Sequence, residues 1–224
     1  MSAADEGATR LAEHALQLVQ DGQVLGLGTG RAATAFVHAL GARVGAGLRV
    51  AGVPTSEATA RLARQLGIRL VTLADHLTLD LAIDGADEVD PRGDLIKGYG
   101  GALLREKVVA TAARRFVVLV GREKLVPTLG SRGRLPVEVL PFALPLCRDR
   151  LARLGLRPEL RMQNASPEAT DNGNWILDCG LEPIAEPPGL DLAIRAIPGV
   201  AATGLFLGMA PTVLVESGGK VEQR

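Results

Sequence analysis

The sequence predicts an α/β fold, in which helices cover both faces of a parallel sheet. Short apolar runs alternate with helical patterns up to about residue 130, and such alternation is typical of parallel strands joined by crossover helices. After residue 134 strand-like segments dominate, which predicts a smaller α+β unit. We therefore expect a main catalytic domain over 1–134, to which 207–224 return, and a smaller domain over 135–206.

The elements of the main domain are predicted in order. Apolar spacing predicts a first helix over 8–19, which Gly22 stops, and Val24 to Leu27 form a short strand that runs into a glycine turn. Ser56 is placed to cap a later helix. Further strands are predicted at 48–53, 68–73, 79–83 and 116–120, with helices around Phe36–Leu40, after Ser56 and after Gly101.

The smaller domain shows a different order of elements. Asp171-Asn172-Gly173-Asn174 gives the clearest hairpin signal in the chain, because these residues tolerate positive φ. Strands are predicted at 136–139, 159–162 and 175–179, helices at 146–154 and 190–197, and a last strand at 212–215 that returns to the main sheet.

Composition excludes several classes of function. The chain of 224 residues has 25 basic and 25 acidic side chains, so nothing predicts a nucleic-acid or membrane partner, and we expect a small-molecule ligand. No secretion signal begins the chain, and its longest aliphatic or aromatic run is far shorter than the ~20 residues of a membrane helix. Two cysteines outside any CxxC pair predict reduced thiols in the cytoplasm, and the three separated histidines predict no metal site.

A glycine turn after the first strand predicts a phosphate site. Gly28, Thr29 and Gly30 lie between a strand and a helix, where backbone N–H groups and the positive helix end attract anions. With Ala33, the turn also fits the loose GxGxxG/A pattern of dinucleotide sites. The second strand, however, is followed by no carboxylate until Glu57, so a simple phosphate ligand is favoured over a nicotinamide cofactor.

The stretch 80–107 concentrates most of the chemically useful side chains. A short strand delivers Asp84 and Asp87 to a sheet edge, Lys97 and a glycine-rich turn follow, and a helix then begins. Each feature alone is explained by turn formation or helix capping, and Ala86 excludes a calcium loop. The helix is predicted to pack through Leu104, Val108 and Thr111, which leaves Glu106 on the polar face.

Seven motifs in order resemble those of the type A ribose-5-phosphate isomerases over nearly the whole chain. They are GLGTG at 26–30, VPTSEAT at 53–59, DLAIDGADEVD at 80–90, KGYGGALLREK at 97–107, LPVEVLP at 135–141, TDNGN at 170–174 and IPGVAATGLF at 197–206. The resemblance implies a Rossmann-like main domain with a ferredoxin-like smaller one. It also implies interconversion of D-ribose 5-phosphate and D-ribulose 5-phosphate in the pentose phosphate pathway, without metal or cofactor, by a homodimer or homotetramer.

The resemblance also assigns roles to individual residues. Glu106 matches the catalytic base, and Asp84, Asp87 and Lys97 match charged groups around the sugar. The chemistry of aldose–ketose isomerisation then predicts Lys97 as the cation that stabilises the enediolate, and Asp84 and Asp87 as groups that orient hydroxyls and assist ring opening. The substrate-binding positions that it implies are Thr29, Gly30, Arg31, Ala32, Asp84, Gly85, Ala86, Asp87, Lys97, Gly98, Tyr99, Gly100 and Lys124.

Several positions depart from the family pattern. Arg31 and Ala32 stand where the family usually has Ser and Thr, so hydroxyl contacts to phosphate are lost and Arg31 is the candidate replacement. Tyr99 replaces a usual glycine. Gly121 and Glu123 replace the usual Asp and Ser or Thr before Lys124, which bears on how that lysine is positioned.

Two other functions stay open on the sequence alone. A non-catalytic sugar-phosphate sensor is disfavoured because both Glu106 and Lys97 are present. Acyl-CoA transfer on a similar fold would require a glutamate nucleophile and a much larger groove.

Overall fold

The computed structural model of the chain describes residues 3–224. Its helices are α1 Ala3–Leu16, α2 Arg31–Gly45, α3 Glu57–Gln65, α4 Leu103–Ala112, α5 Leu144–Arg153 and α6 Pro187–Arg195, with short 3₁₀ helices at Arg122–Lys124 and Pro141–Ala143. Its strands are β1 Val24–Leu27, β2 Ala51–Pro54, β3 Arg69–Leu70, β4 Leu81–Gly85, β5 Glu88–Val89, β6 Leu95–Ile96, β7 Phe116–Gly121, β8 Arg134–Val139, β9 Arg157–Leu160, β10 Met162–Gln163, β11 Ser166–Pro167, β12 Trp175–Gly180, β13 Val200–Thr203, β14 Leu205–Phe206, β15 Thr212–Ser217 and β16 Lys220–Gln223. No helix within residues 3–224 is long and apolar enough to cross a membrane.

The chain divides into two compact units. The first unit contains the chain up to residue 86 together with 105–124 and 209–224, and the second contains 87–104 and 125–208. The division read from the sequence placed 87–104 and 125–134 with the first unit. Residues 87–104 group with the second because β5 and β6 pair with each other and β6 pairs with β14. Residues 125–134 follow β5, since the Val126 N–H donates to the Val89 carbonyl.

A seven-stranded sheet forms the centre of the first unit. Its strand order is β16-β15-β7-β4-β1-β2-β3, and every pair is parallel except the edge pair of β15 and β16. The sheet therefore shows the order 3-2-1-4-5-6 of a doubly wound fold, with β15 as its sixth strand. Buried side chains of α1, α2 and the central strands form its core, including Leu11, Leu25, Phe36, Leu40 and Val117.

Capping and stop signals in the sequence predict the position of most helices of this unit. The Ser56 hydroxyl accepts a hydrogen bond from the Thr59 N–H and so caps α3, as predicted. Helix α1 ends at Leu16, earlier than predicted. Val19 is nevertheless buried in the core. It is apolar because the segment after the helix also packs against the core.

The second unit is built on a four-stranded antiparallel sheet. Its order is β13-β8-β12-β9, and with α5 and α6 in between it forms the βαββαβ arrangement of a ferredoxin-like fold. Alternate residues of β8, namely Leu135, Val137 and Val139, pack on Leu151 and Ile194 of the two helices. The predicted hairpin turn is present, and the Thr170 N–H donates to the Asn174 carbonyl. The two-residue strands β5, β6 and β14 were not predicted, since they are too short to show alternation.

Candidate active site

The carboxyl ends of three neighbouring strands of the first unit bring together the predicted site residues of that unit. Gly28 follows β1, Asp84 lies near the end of β4, and Lys124 follows β7. The strand order reverses between β1 and β4, because β2 and β3 extend to one side of β1 while β4 and β7 extend to the other. Ligands of doubly wound sheets bind at such switch points, and we call this part of the first unit the carboxyl edge.

Asp84 ties the end of β4 to the glycine turn after β1. Its side chain is only 3% exposed, and Oδ1 accepts hydrogen bonds from the Thr29 N–H at 3.2 Å and the Gly85 N–H at 2.7 Å. A Cβ at Gly28 would collide with the Asp84 carboxylate. Glycine is therefore required here so that the carboxylate can lie against the backbone.

A cluster of hydroxyls holds the glycine turn from its other side. Thr29 Oγ1 lies 2.8 Å from both Thr55 Oγ1 and Ser56 Oγ, and Thr59 Oγ1 donates to the Gly28 carbonyl at 2.9 Å. Thr55, Ser56 and Thr59 are all buried. The VPTSEAT motif thus caps α3 and at the same time fixes the turn between β1 and α2.

The N-terminus of α2 is open to an anion. Gly30 precedes it with a φ of 104°, and no side chain caps the helix. The first N–H groups of a helix have no partner within the helix, and they carry its positive end. Arg31 is exposed and lines a shallow groove of about 500 Å³ between α1 and α2, with Thr9 and His38 among the other lining residues. Among residues 3–224, Arg31 forms no ion pair.

Glu106 lies at the same edge because of the direction in which α4 runs. Ala113, just after the helix, bridges to Leu79 before β4, so α4 ends near the amino ends of the strands and begins near their carboxyl ends. Val109, one turn after Glu106, packs so closely on β1 that a Cβ at Gly26 would collide with it. Glu106 is therefore carried on the sheet-facing side of the helix, at its carboxyl-edge end.

The predicted packing face of α4 is wrong by about one residue. Val108 and Thr111 are exposed, and the buried residues are Leu103, Glu106, Val109 and Ala110. The sequence contains two apolar doublets in this helix, so two stripes fit the spacing equally well. The stripe that is buried includes Glu106, which is 5% exposed. A search for apolar residues rejects this stripe because it contains a carboxylate. Glu106 is thus a buried carboxylate and does not lie on an open polar face.

Two further contacts shape the carboxyl edge. Arg105 Nη1 donates to Glu57 Oε1 at 3.0 Å, which joins the start of α4 to the start of α3. Lys124 is half-buried in a 3₁₀ turn directly after β7. A Cβ at Gly121 would collide with the Glu123 carboxylate. The glycine thus leaves the space that the Glu123 carboxylate occupies.

The remaining predicted residues belong to the second unit, where Lys97 is fixed by the small sheet of β5, β6 and β14. Its N–H donates to the Gly204 carbonyl at 2.9 Å. Its side chain is 3% exposed, and Nζ lies 5.6 Å from the centre of the Phe206 ring. A buried ammonium over an aromatic face is a well-localised positive charge.

The glycine-rich turn after Lys97 is anchored through Tyr99. The Tyr99 N–H donates to Asp87 Oδ2 at 2.9 Å, and the phenol donates to the Arg134 carbonyl at 3.1 Å. The Arg134 guanidinium lies 3.9 Å from the ring centre. Burial raises the pKa of the Tyr99 phenol, and the charges of Glu88 and Asp87 add to this effect. The phenol therefore keeps the proton that it donates.

Comparisons with known proteins agree with this arrangement. The family model described as ribose 5-phosphate isomerase A (phosphoriboisomerase A) matches residues 51–220. The chain is 56% identical to ribose-5-phosphate isomerase A of Roseiflexus sp. (strain RS-1), over 92% of this chain and 90% of that protein. It is 53% identical to the protein of the same name from Gloeobacter violaceus, over 94% and 92%.

The chain belongs to the ribose-5-phosphate isomerase A family. It is therefore an enzyme of the isomerase class, and the predicted family is confirmed. The solved ribose 5-phosphate isomerase A of Methanocaldococcus jannaschii is 39% identical with a TM-score of 0.93, covering 99% of both chains. A D-ribose-5-phosphate isomerase in complex with phospho-erythronic acid is 36% identical with a TM-score of 0.95, covering 100% of this chain and 99% of that one. These neighbours confirm the α/β fold class.

The structure distributes the predicted site residues between the two units. The first unit carries Thr29, Gly30, Arg31, Ala32, Asp84, Gly85, Ala86, Glu106 and Lys124, and the second carries Asp87, Lys97, Gly98, Tyr99 and Gly100. Within residues 3–224, no group of three or more His, Cys, Asp or Glu side chains is arranged to hold a metal ion.

Sequence reasoning missed the side chains that support these residues. The hydroxyls of Thr55 and Ser56 were explained only as capping groups, and Thr59 was noted only as part of the VPTSEAT motif. Arg134, Arg161 and Asp178 gave no signal. Arg134 and Arg161 contact the turn after Lys97 from segments far away in the sequence, and Asp178 binds Arg161.

Proposed function

We propose that this chain interconverts D-ribose 5-phosphate and D-ribulose 5-phosphate through an enediolate, with Glu106 as the general base. Family membership supports the substrate, and a relative solved with phospho-erythronic acid supports a phosphorylated ligand. The observation that carries the assignment is the buried Glu106 carboxylate at the carboxyl edge, which also holds Asp84 and the uncapped start of α2.

The chemistry requires one base and one stabilised oxyanion. The Glu106 carboxylate removes the proton from C2 of the open-chain aldose, the C1–C2 double bond forms, and negative charge develops on O1. The same carboxyl returns the proton to C1, while the hydroxyl proton of O2 is transferred to O1. Lys97 is the proposed cation for the enediolate oxygen. Asp84 and Asp87 are the proposed groups that orient hydroxyls and assist ring opening.

The phosphate is proposed to bind at the start of α2. The N–H groups of Gly30, Arg31 and Ala32 precede or begin an uncapped helix, where an anion is stabilised. Thr29 is held by Asp84 and by the hydroxyl cluster, so the turn is rigid before the substrate arrives. Lys124 is a further proposed ligand at the same edge. A role in the pentose phosphate pathway, a cytoplasmic location and a homodimeric or homotetrameric state stay predictions.

The test is an assay of the purified chain with ribose 5-phosphate, following formation of ribulose 5-phosphate. We expect Glu106→Gln to lower kcat by about 10²- to 10⁴-fold, as removal of a general base does, while ribose 5-phosphate still binds. Glu182→Gln is the matched control, because the Glu182 side chain is 87% exposed in the second unit.

Two results would contradict the proposal. Equal kcat in Glu106→Gln and the parent would remove the base assignment. Binding of ribose 5-phosphate without turnover in the parent would favour a sugar-phosphate sensor, and turnover of acyl-CoA instead would favour a transferase.

A further inference from the structure

Arg161 is a nearly buried arginine directly after β9 in the second unit. Its side chain is 9% exposed. Nε and Nη2 donate to the two carboxylate oxygens of Asp178 on β12, at 2.8 and 2.6 Å. This bidentate pair fixes the plane of the guanidinium.

The remaining nitrogen of Arg161 donates hydrogen bonds to backbone carbonyls just after Lys97. Nη1 donates to the Gly98 carbonyl at 3.1 Å and to the Tyr99 carbonyl at 3.2 Å. Both acceptors lie within two residues of Lys97. The guanidinium therefore connects the rigid four-stranded sheet to the turn that follows Lys97.

The turn at 98–101 needs anchors because its glycines allow many backbone conformations. Gly98, Gly100 and Gly101 provide little backbone restriction, and Gly98 has a φ of 111°. Besides Arg161, the turn is anchored by the bond from the Tyr99 N–H to Asp87, by the bond from the Tyr99 phenol to the Arg134 carbonyl and by the packing of Tyr99 on Arg134. Arg161 is the group that holds the two consecutive carbonyls.

We propose that Arg161, oriented by Asp178, is a positioning residue for isomerisation that acts through Lys97. It fixes the 98–99 carbonyls and so holds the Lys97 backbone against β14. The inference rests on the proposed function, since it assumes that Lys97 stabilises the enediolate. A displacement of about 1 Å at a catalytic group costs ~10²-fold in rate, so loss of this anchor is expected to affect turnover.

The kinetic test compares two arginines from the same part of the fold. Arg161→Met removes the anchor. Arg157→Met is the matched control, because Arg157 lies on β9, is 63% exposed and makes no contact with the turn. At a temperature well below unfolding of each variant, we expect kcat of Arg161→Met to fall about 10- to 100-fold with KM changed less than threefold. Arg157→Met is expected to match the parent.

A double mutant separates positioning from general weakening of the fold. If Arg161 acts through Lys97, Arg161→Met should cost less than threefold more in a Lys97→Ala background. A full additional 10- to 100-fold loss in that background would overturn the proposal. Unchanged kcat in folded Arg161→Met would also overturn it.

Asp178→Asn provides a second variant where Arg161→Met fails to fold. It keeps the size of the side chain but removes the charge that orients Arg161, and we expect a loss of kcat in the same direction, about 3- to 10-fold. A folded Asp178→Asn variant with the kcat of the parent would count against the proposal.

Amide hydrogen exchange tests the positioning without any need for activity. The N–H groups of Tyr99 and Gly101 are bonded to Asp87 and to the Gly98 carbonyl, so their exchange reports order in the turn. We expect faster exchange over 98–101 in Arg161→Met and no change in Arg157→Met. An inactive parent would refute the proposed function alone, whereas unchanged exchange in Arg161→Met would refute the role of Arg161.

Discussion

The two glycine turns that carry proposed site residues are held in different ways. The turn at 28–30 is fixed by elements close to it in the sheet, through Asp84, the Thr55–Thr59 hydroxyls and the strand pairing of β1 with β2 and β4. The turn at 98–101 is fixed by charged and aromatic side chains, of which Arg161 is 63 positions away from Gly98. The first turn is held by strand pairing and by short side chains of neighbouring elements, and the second depends on long side chains.

This difference shows how each turn is suited to its proposed task. Phosphate binding uses backbone N–H groups, so the first turn needs a fixed main chain and a helix end. Enediolate stabilisation uses a single localised cation, so the second turn needs one side chain held in place. Changes in the first turn are therefore expected to alter binding, and changes in the second to alter turnover.

Among changes in the two turns, the largest effect is expected from Lys97→Ala in the second. A cation that acts mainly in the transition state should, when removed, lower kcat by about 10²- to 10³-fold, as loss of an oxyanion donor does. Steady-state kinetics on ribose 5-phosphate provide the measurement, with the exposed Lys220→Ala as control. A rise in KM with unchanged kcat would make Lys97 a binding residue. The second turn would then serve binding, as the first is proposed to do.

Arg31→Ala tests whether the first turn binds phosphate with a side chain as well as with backbone. If the Arg31 guanidinium contacts the phosphate, its removal should weaken ribose 5-phosphate binding by about 1.5 to 3 kcal/mol, and the loss should shrink as salt rises. Calorimetric titration of Arg31→Ala against Arg43→Ala, an exposed arginine in the last turn of the same helix, measures this. Equal affinities at all salt concentrations would leave the backbone as the phosphate site.

Gly28→Ala addresses the backbone character of the first turn directly. The added Cβ collides with the Asp84 carboxylate, and such overpacking typically costs about 1 to 3 kcal/mol. Urea unfolding should show this loss. Gly45→Ala is the control, because its Cβ meets nothing within 4 Å in α2 and the exchange is expected to be neutral or stabilising. A Gly28→Ala variant as stable as Gly45→Ala would show that Asp84 moves away at no cost.

The smallest effect is expected from Glu88, a buried carboxylate beside the second turn. It accepts hydrogen bonds from the Gly130 and Arg132 N–H groups at 2.6 and 2.8 Å. Burial nevertheless raises its pKa above the ordinary 4.5. The folded state therefore binds more protons than the unfolded state between 4.5 and the raised pKa, and the free energy of unfolding should fall as pH rises through that window.

Glu88→Gln should remove this part of the pH dependence. Each unit of pKa shift corresponds to about 1.4 kcal/mol, so the difference between variant and parent is read from urea unfolding at several pH values. Glu182→Gln, at an exposed site, should keep the slope of the parent. A Glu88→Gln variant with that same slope would show that the carboxylate stays ionised when buried.

The sequence predicted the first turn better than the second for the same physical reason. Strand β1 was predicted with its observed bounds, Val24–Leu27, and Gly28–Gly30 were predicted to form an anion site because strand, turn and helix start are contiguous. Lys97 and Tyr99 were predicted as site residues through the resemblance. Arg161 and Asp178 were not, because a salt bridge between residues distant in the sequence leaves no periodic or motif signal in either segment.

The face of α4 shows a second limit of sequence reasoning. Glu106 was selected as a candidate, yet it was assigned to the polar side because a carboxylate lowers the apolar score of any stripe that contains it. Burial of a charged group at a site is a tertiary property. Local pattern analysis is therefore least reliable for a charged residue that the fold buries.

The position of β15 has a consequence for how the chain is made. Strand β7 is buried from Phe116 to Val120, and its parallel partner on one side is β15, which begins at Thr212. About 90 residues separate the two strands, so at typical synthesis rates of ~5 to 20 residues per second β7 waits on the order of 10 s for that partner. During this interval an apolar strand edge is exposed on the ribosome, where it is available to chaperones and to other nascent chains.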